Sequence, residues 1–69
     1  MRGKPHRHRL AAVRLRRGMT QREVAAGTGI SNTVYQRLER GEIDNPPLRY
    51  LTNCALLLGV RVGDLIEDE

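Results

Sequence analysis

Residues 20–41 read TQREVAAGTGISNTVYQRLERG, and two helix-start signals within this stretch decide the fold. Thr20 and Glu23 have the spacing of a capping box, in which each side chain accepts a hydrogen bond from the backbone amide of the other residue. Ser31 is a favourable N-cap for a second helix, which runs without Gly or Pro until Gly41 ends it. The stretch therefore predicts two short helices in succession.

The connection between these helices contains Gly27 and Gly29, which permit backbone angles closed to other residues. We expect the first helix to stop there, and Ala25 to supply the small side chain that closely approaching helices require. Two short helices that cross steeply around a turn of about three or four residues form a helix-turn-helix unit. An ordinary helical hairpin would show the same apolar positions, so the exposed residues must distinguish the two.

Three further helices are predicted from apolar residues at helical spacing and from the glycines that end two of them. Their approximate ranges are 8–18, 47–59 and 62–66. The last should fray, because Gly63 is a weak helix former and Arg61 is a poor cap. Residues 1–7 read as a flexible basic arm, which leaves residues 8–69 as one compact all-α domain of five helices.

The composition argues against an enzyme. The chain has 69 residues with no Phe, no Trp and two Tyr, so its small core must be mostly aliphatic and suits helix packing better than an active-site cavity. Cys54 is the single cysteine, and no disulfide or cysteine metal site is available to it. We expect no catalytic residue, no metal and no cofactor. His6 and His8 could bind a metal, but an arm that contacts phosphates is favoured.

The charge is divided unequally along the chain. Residues 1–41 contain ten Arg or Lys against two acids, a net +8, whereas residues 42–69 carry a net −4. The basic half predicts a polyanionic partner, although a basic tail can also serve solubility alone. No apolar run approaches the roughly 18 residues of a membrane span, and the N-terminus lacks the apolar segment of a signal peptide. We therefore expect a cytoplasmic protein.

One face of the helix that follows Ser31 is chemically suited to DNA. Asparagine and glutamine can bond an adenine edge bidentately, arginine can do the same to guanine, and a threonine methyl can meet a thymine methyl. An ordinary solvated face would favour Glu and Lys, and this face contains neither. Its residues follow helical spacing: Asn32, Thr33, Gln36, Arg37 and Arg40. They predict base readout in the major groove.

Several short motifs within residues 14–65 reinforce this interpretation. They are Met19-Thr20-Gln21, Glu23-Val24-Ala25, Gly29-Ile30-Ser31, Leu38-Glu39-Arg40-Gly41 and Pro47-Leu48 through Leu51, Ala55 and Leu58-Gly59-Val60. Through these motifs the chain resembles the Cro/cI-type (XRE-like) helix-turn-helix family of phage repressors and bacterial regulators. The resemblance implies a five-helix, lambda-repressor-like fold, a homodimer on a near-palindromic operator, and the third helix in the major groove.

The resemblance also assigns roles to individual residues. It implies base reading by Asn32, Thr33 and Arg37, beside which we expect Gln36 to contribute. Phosphate contacts are expected from Gln21, Arg22, Ser31 and Arg40, of which Ser31 is first a helix cap. Arg14 and Glu39 match positions that form a structural ion pair between the first and third helices in some members.

Some residues depart from the family pattern. Thr28 stands where an apolar residue commonly closes the turn, so the unit could be looser. Glu42 and Asp44 follow the third helix where basic residues often occur, and their charges would repel phosphate within a Debye length of about 8 Å. Backbone contacts should therefore shift toward the N-terminal side.

The sequence leaves the protein partners open. A dimer patch and completion of the core are equally good interpretations of the apolar residues Leu56, Leu57, Val60 and Val62. The leading hypothesis is a sequence-specific regulator, a repressor that binds DNA as a homodimer. The alternative is the antitoxin of a toxin-antitoxin pair, which would repress its own operon and bind a toxin. A helical interaction module with incidental basic charge is a third reading.

Overall fold

The computed structural model describes residues 7–67, and these form an all-α domain. Its α-helices are α1 (Leu10–Arg16), α2 (Gln21–Thr28), α3 (Asn32–Glu39) and α4 (Leu48–Leu58). The helix-turn-helix unit of α2 and α3 confirms the sequence prediction. The predicted fifth α-helix is wrong: residues Val62–Leu65 form a single 3₁₀ turn, consistent with the weak helix propensity of Gly63.

The chain reaches and leaves this domain through a short antiparallel pair. Strands β1 (Arg7–His8) and β2 (Ile66–Glu67) align Arg7 with Glu67, and α1 begins only at Leu10. The backbone amide of Arg9 donates to the carbonyl of Leu65 over 2.8 Å. Most of the predicted arm, residues 1–6, lies outside the described residues.

Both predicted helix caps are formed. The backbone amide of Glu23 donates to Thr20 Oγ1 over 3.0 Å, and the amide of Thr20 donates to Glu23 Oε1 over 2.8 Å. The amide of Val34 donates to Ser31 Oγ over 3.2 Å. These bonds satisfy amides that the first turn of a helix would otherwise leave unpaired, and they fix where α2 and α3 begin.

The turn between α2 and α3 depends on Gly29 and Thr28. Gly29 has φ +76°, a left-handed conformation that other residues adopt at a cost. The Thr28 hydroxyl donates to the carbonyls of Val24 and Ala25 over 2.8 and 3.1 Å, so a polar group stands here with its hydrogen bonds satisfied. The Thr28 hydroxyl therefore stabilises the last turn of α2, immediately before the left-handed Gly29.

Gly27 has a different role from the predicted one, because it lies inside α2. A Cβ atom at this position would come within 2.9 Å of Leu57 Cδ2. The glycine thus lets α4 pack directly against the backbone of α2.

The core lies where the four helices meet. Tyr35 is its largest fully buried side chain. Val60 and Val62 pack against this core, which favours the core reading for both. The buried residues are Leu10, Val13, Val24, Ala25, Ile30, Tyr35, Leu38, Leu51, Cys54, Ala55, Leu58 and Leu65.

We predict that Thr20→Ala lowers the free energy of unfolding by about 1 kcal/mol, because the amide of Glu23 loses its capping acceptor. Urea denaturation followed by circular dichroism measures the change. Thr20→Ser keeps the hydroxyl oxygen and should restore most of the loss. A serine variant as unstable as the alanine variant would contradict the capping role.

Candidate nucleic-acid interface

The candidate interface is built on one carboxylate at the end of α3, that of Glu39. Glu39 accepts hydrogen bonds from Tyr35 Oη over 2.7 Å, from Gln21 Nε2 over 2.9 Å and from the guanidinium of Arg14. A second nitrogen of Arg14, Nη2, lies 3.3 Å from Glu39 Oε1, and Nη1 donates to the carbonyl of Met19 over 2.8 Å. The Glu39 carboxylate therefore joins α1, α2 and α3.

The surroundings of Glu39 keep it ionised. Burial opposes its ionisation, but the hydrogen bonds from Arg14, Tyr35 and Gln21 outweigh burial and lower the pKa of the carboxyl below its usual value. Conversely, burial and the bond to Glu39 raise the pKa of Tyr35, so its hydroxyl stays a donor. The hydrogen bond to Glu39 raises the pKa of Arg14. The ion pair expected from the sequence is thus present and almost enclosed, with side-chain exposures of 11% for Arg14 and 6% for Glu39.

The opposite side of α3 faces solvent. Asn32, Thr33, Arg37 and Arg40 are exposed, and Gln36 is half-buried beside them. Tyr35 and Leu38, on the other face of the helix, are fully buried. The structure therefore brings the five residues of the predicted stripe together on one surface that the core holds in place.

Three of the four expected phosphate contacts lie at the starts of α2 and α3, and the fourth, Arg40, lies at the end of α3. Arg22 and Ser31 are exposed, whereas Gln21 is half-buried with its amide nitrogen bonded to Glu39. A glutamine amide carries two N–H donors, so this bond leaves a further donor on Gln21. Ser31 uses its oxygen as the cap of α3 and keeps its hydroxyl hydrogen for another acceptor.

Glu42 belongs to the candidate interface, which the sequence does not predict. Glu42 was expected only to repel phosphate, yet its carboxylate accepts hydrogen bonds from Arg40 Nε over 2.9 Å and Arg40 Nη2 over 3.3 Å. The same carboxylate lies 3.9 Å from Arg37 Nε. A signal was available in the sequence, because a glycine that ends a helix turns the next residue back over the last turn.

The remaining candidates divide between core and surface. Cys54 is buried in the core, which raises the pKa of its thiol to about 11. Leu56 is 76% exposed and Leu57 is 38% exposed with its end against Gly27, so apolar surface remains on α4.

Across residues 7–67 no three potential metal ligands cluster together. None of the helices in that range combines the length and apolar character needed to cross a membrane.

Comparison with known proteins agrees with this geometry. A helix-turn-helix family model matches residues 10–65. The structure is similar to the N-terminal DNA-binding domain of SinR from Bacillus subtilis, with 25% identity, a TM-score of 0.74 and 80% of each chain covered. It is also similar to a crystal structure from Bacteroides fragilis, of a protein to which DNA binding has been ascribed. That match has 27% identity, a TM-score of 0.79, and covers 90% of this chain and 98% of the other. Curated proteins gave no match.

We predict that Glu39→Gln lowers the free energy of unfolding by about 3 kcal/mol at pH 7, because it leaves the nearly enclosed Arg14 without its countercharge. The lowered pKa of Glu39 contributes stability that is present above the unfolded-state pKa of about 4.3 and is lost as pH falls through the folded-state pKa. The variant should therefore lose less stability than wild type on acidification. Chemical denaturation across pH 3 to 7 measures both effects.

Asp44→Asn is the matched control, because it removes a carboxylate from an exposed loop. Its stability at pH 7 should stay close to that of wild type. The assignment would be wrong if the two variants lost the same stability.

Proposed function

The chain belongs to the Cro/cI-type (XRE-like) helix-turn-helix family and is a DNA-binding domain, and on that premise we propose that it acts as a sequence-specific transcriptional repressor. In this proposal it binds a near-palindromic operator as a homodimer. The observation that carries the proposal is the exposed face of α3. The residues of α3 on this face present amide, hydroxyl and guanidinium groups and include no acid, and the other face of the helix is fixed in the core.

The proposed base contacts follow from the side chains of this face. Arg37 has the fork of N–H donors that matches O6 and N7 of guanine, and Asn32 and Gln36 each have the donor and acceptor that match N7 and N6 of adenine. The Thr33 methyl group suits a thymine methyl. Because these residues lie on successive turns of one helix, they can follow successive base pairs along the groove.

The proposed phosphate contacts come from helix starts and from the end of α3. The first amides of α2 and the positive end of its dipole favour an anion, and Gln21 and Arg22 are the first two residues of that helix. Ser31 lies at the corresponding end of α3, as the N-cap residue immediately before its first turn. Arg40, at the other end of α3, completes a row of donors that would fix the register of the helix in the groove without reading sequence.

A homodimer would supply the specificity that one recognition helix lacks. The eight residues of α3 span about 12 Å at about 1.5 Å per residue, which corresponds to three or four base pairs at about 3.4 Å each. A site this short recurs by chance very often in any genome. Two copies related by a twofold axis would read two half-sites about one helical turn, roughly 34 Å, apart.

The exposed leucine of α4 supports a second candidate beside the repressor. Leu56, at 76% exposure, and its neighbour Leu57, at 38%, leave adjoining apolar surface on α4, and contiguous apolar surface suits a protein contact. A second copy of this chain or a toxin could cover it. Copurification of a stable, different protein would favour the antitoxin function.

We expect selection from a pool of random DNA duplexes to enrich an inverted repeat with half-sites one helical turn apart, because a symmetric dimer presents two recognition helices. Sequencing of the bound pool is the measurement. An enriched single half-site would contradict the dimer, and a pool that stays random would contradict sequence-specific binding altogether.

We further predict that Arg37→Ala weakens binding to the enriched duplex by about 1 to 3 kcal/mol and leaves binding to a scrambled duplex nearly unchanged, because it removes a base contact. Fluorescence anisotropy titrations measure both affinities. Arg22→Ala is the matched control, since it removes an equal charge from α2 and should weaken both complexes alike. Equal loss on both duplexes for the Arg37 variant would defeat base reading by this residue.

A further inference from the structure

The end of α3 is shaped so that Glu42 turns back onto the recognition helix. Gly41 has φ +73°, its amide donates to the carbonyl of Leu38 over 3.1 Å, and the amide of Glu42 donates to the carbonyl of Arg37 over 3.0 Å. This pair of bonds is the Schellman arrangement, in which a left-handed glycine reverses the chain over the last turn of a helix. The backbone therefore determines where the Glu42 side chain starts.

From that position Glu42 contacts both arginines of α3. It accepts two hydrogen bonds from Arg40, one from Nε over 2.9 Å and one from Nη2 over 3.3 Å. Its Oε1 lies 3.9 Å from Nε of Arg37. All three side chains are exposed, so the group lies on the surface that α3 presents rather than in the core.

We propose that Glu42 is a specificity-determining residue, which weakens the phosphate contact of Arg40 on any DNA and orients Arg37 for its base contact on the operator. This inference rests on the proposed function, because it assigns a role within sequence-specific binding. Its physical basis is that one carboxylate acts differently on phosphate contacts and on base contacts.

On unrelated DNA, nearly all of the affinity comes from phosphates and basic side chains. Arg40 must give up two charge-assisted hydrogen bonds to Glu42 before it can pair fully with a phosphate. The carboxylate itself would lie within a Debye length, about 8 Å, of that phosphate and be repelled by it. Glu42 therefore weakens the sequence-independent part of binding.

On the operator, the same carboxylate acts through Arg37. Arginine has five N–H donors, and the bidentate contact with guanine can be made by the two terminal nitrogens. Glu42 lies next to the remaining nitrogen, Nε, so the pair can persist while Arg37 reads a base. An ion pair over this distance narrows the orientations that the exposed Arg37 guanidinium samples, so Arg37 loses less side-chain freedom when it binds. On the operator, this favourable effect on Arg37 offsets part of the repulsion between Glu42 and the phosphates.

The test compares Glu42→Gln with Asp44→Asn, which removes an equal charge from the same loop. The probes are the duplex enriched from the random pool and a scrambled duplex of equal length and composition, titrated by anisotropy at several salt concentrations. For Glu42→Gln we expect affinity for the scrambled duplex to rise about three- to fivefold, as loss of an exposed pair and its repulsion allows. The slope of log affinity against log salt should steepen by about one on that duplex.

Affinity of the Glu42 variant for the enriched duplex should change by less than about twofold, so the ratio of the two affinities falls. For Asp44→Asn both affinities should rise by a common factor, and the ratio should stay that of wild type. A Glu42 variant that keeps the wild-type ratio would overturn the role of Glu42 alone. Wild-type protein that binds both duplexes equally would overturn the proposed function itself.

A measurement on free protein separates the local contact from its effect on DNA binding. The Nε–H signal of Arg40 in a nitrogen-15 spectrum should exchange slowly with water in wild type and in Asp44→Asn, and faster in Glu42→Gln. Equal exchange in all three proteins would overturn the proposal, because Glu42 would not be holding Arg40.

Discussion

Much of this structure depends on the carboxylate of Glu39. An ionised group that is almost enclosed is costly unless donors surround it, and here Tyr35, Gln21 and Arg14 supply them from α3, α2 and α1. The arrangement fixes the angle between the two helices of the helix-turn-helix unit by hydrogen bonds of defined length. It also places the start of α2, with Gln21, beside the end of α3. The proposed DNA-binding surface is therefore positioned from beneath by the same atoms that stabilise the fold.

Tyr35 is the aromatic side chain that takes part in this arrangement. Without Phe or Trp, Tyr35 provides the largest buried side chain, and its hydroxyl needs a partner at that depth. Glu39 is one turn away on α3, and its carboxylate accepts the hydrogen bond that the buried Tyr35 hydroxyl must donate. Replacement of Tyr35 by Phe would keep most of the packing yet remove one of the donors that keep Glu39 ionised. Tyr35 and Glu39 therefore contribute both to core packing and to the electrostatics beneath the candidate interface.

The sequence predicted the local features well because they depend on neighbours in the chain. The caps at Thr20 and Ser31 and the glycine at Gly29 involve residues at most a few positions apart, and each formed where spacing placed it. Tertiary contacts were harder to predict. The sequence places Gly27 in the turn, whereas in the structure it lies inside α2 against the side chain of Leu57, thirty positions further along the chain. The contact of Glu42 with Arg40 depended on side-chain direction, which charge counting alone does not give.

The antiparallel pair of β1 and β2 brings the two ends of the described chain side by side, with Arg7 opposite Glu67. Domains whose ends lie close together tolerate circular permutation and insertion into loops of other proteins. This helix-turn-helix unit could therefore be grafted into a host loop through the strand pair, as one module with a single point of attachment. The ends could also be joined by a short linker and the chain opened at the exposed loop between α3 and α4, with the helices left in their present order in space.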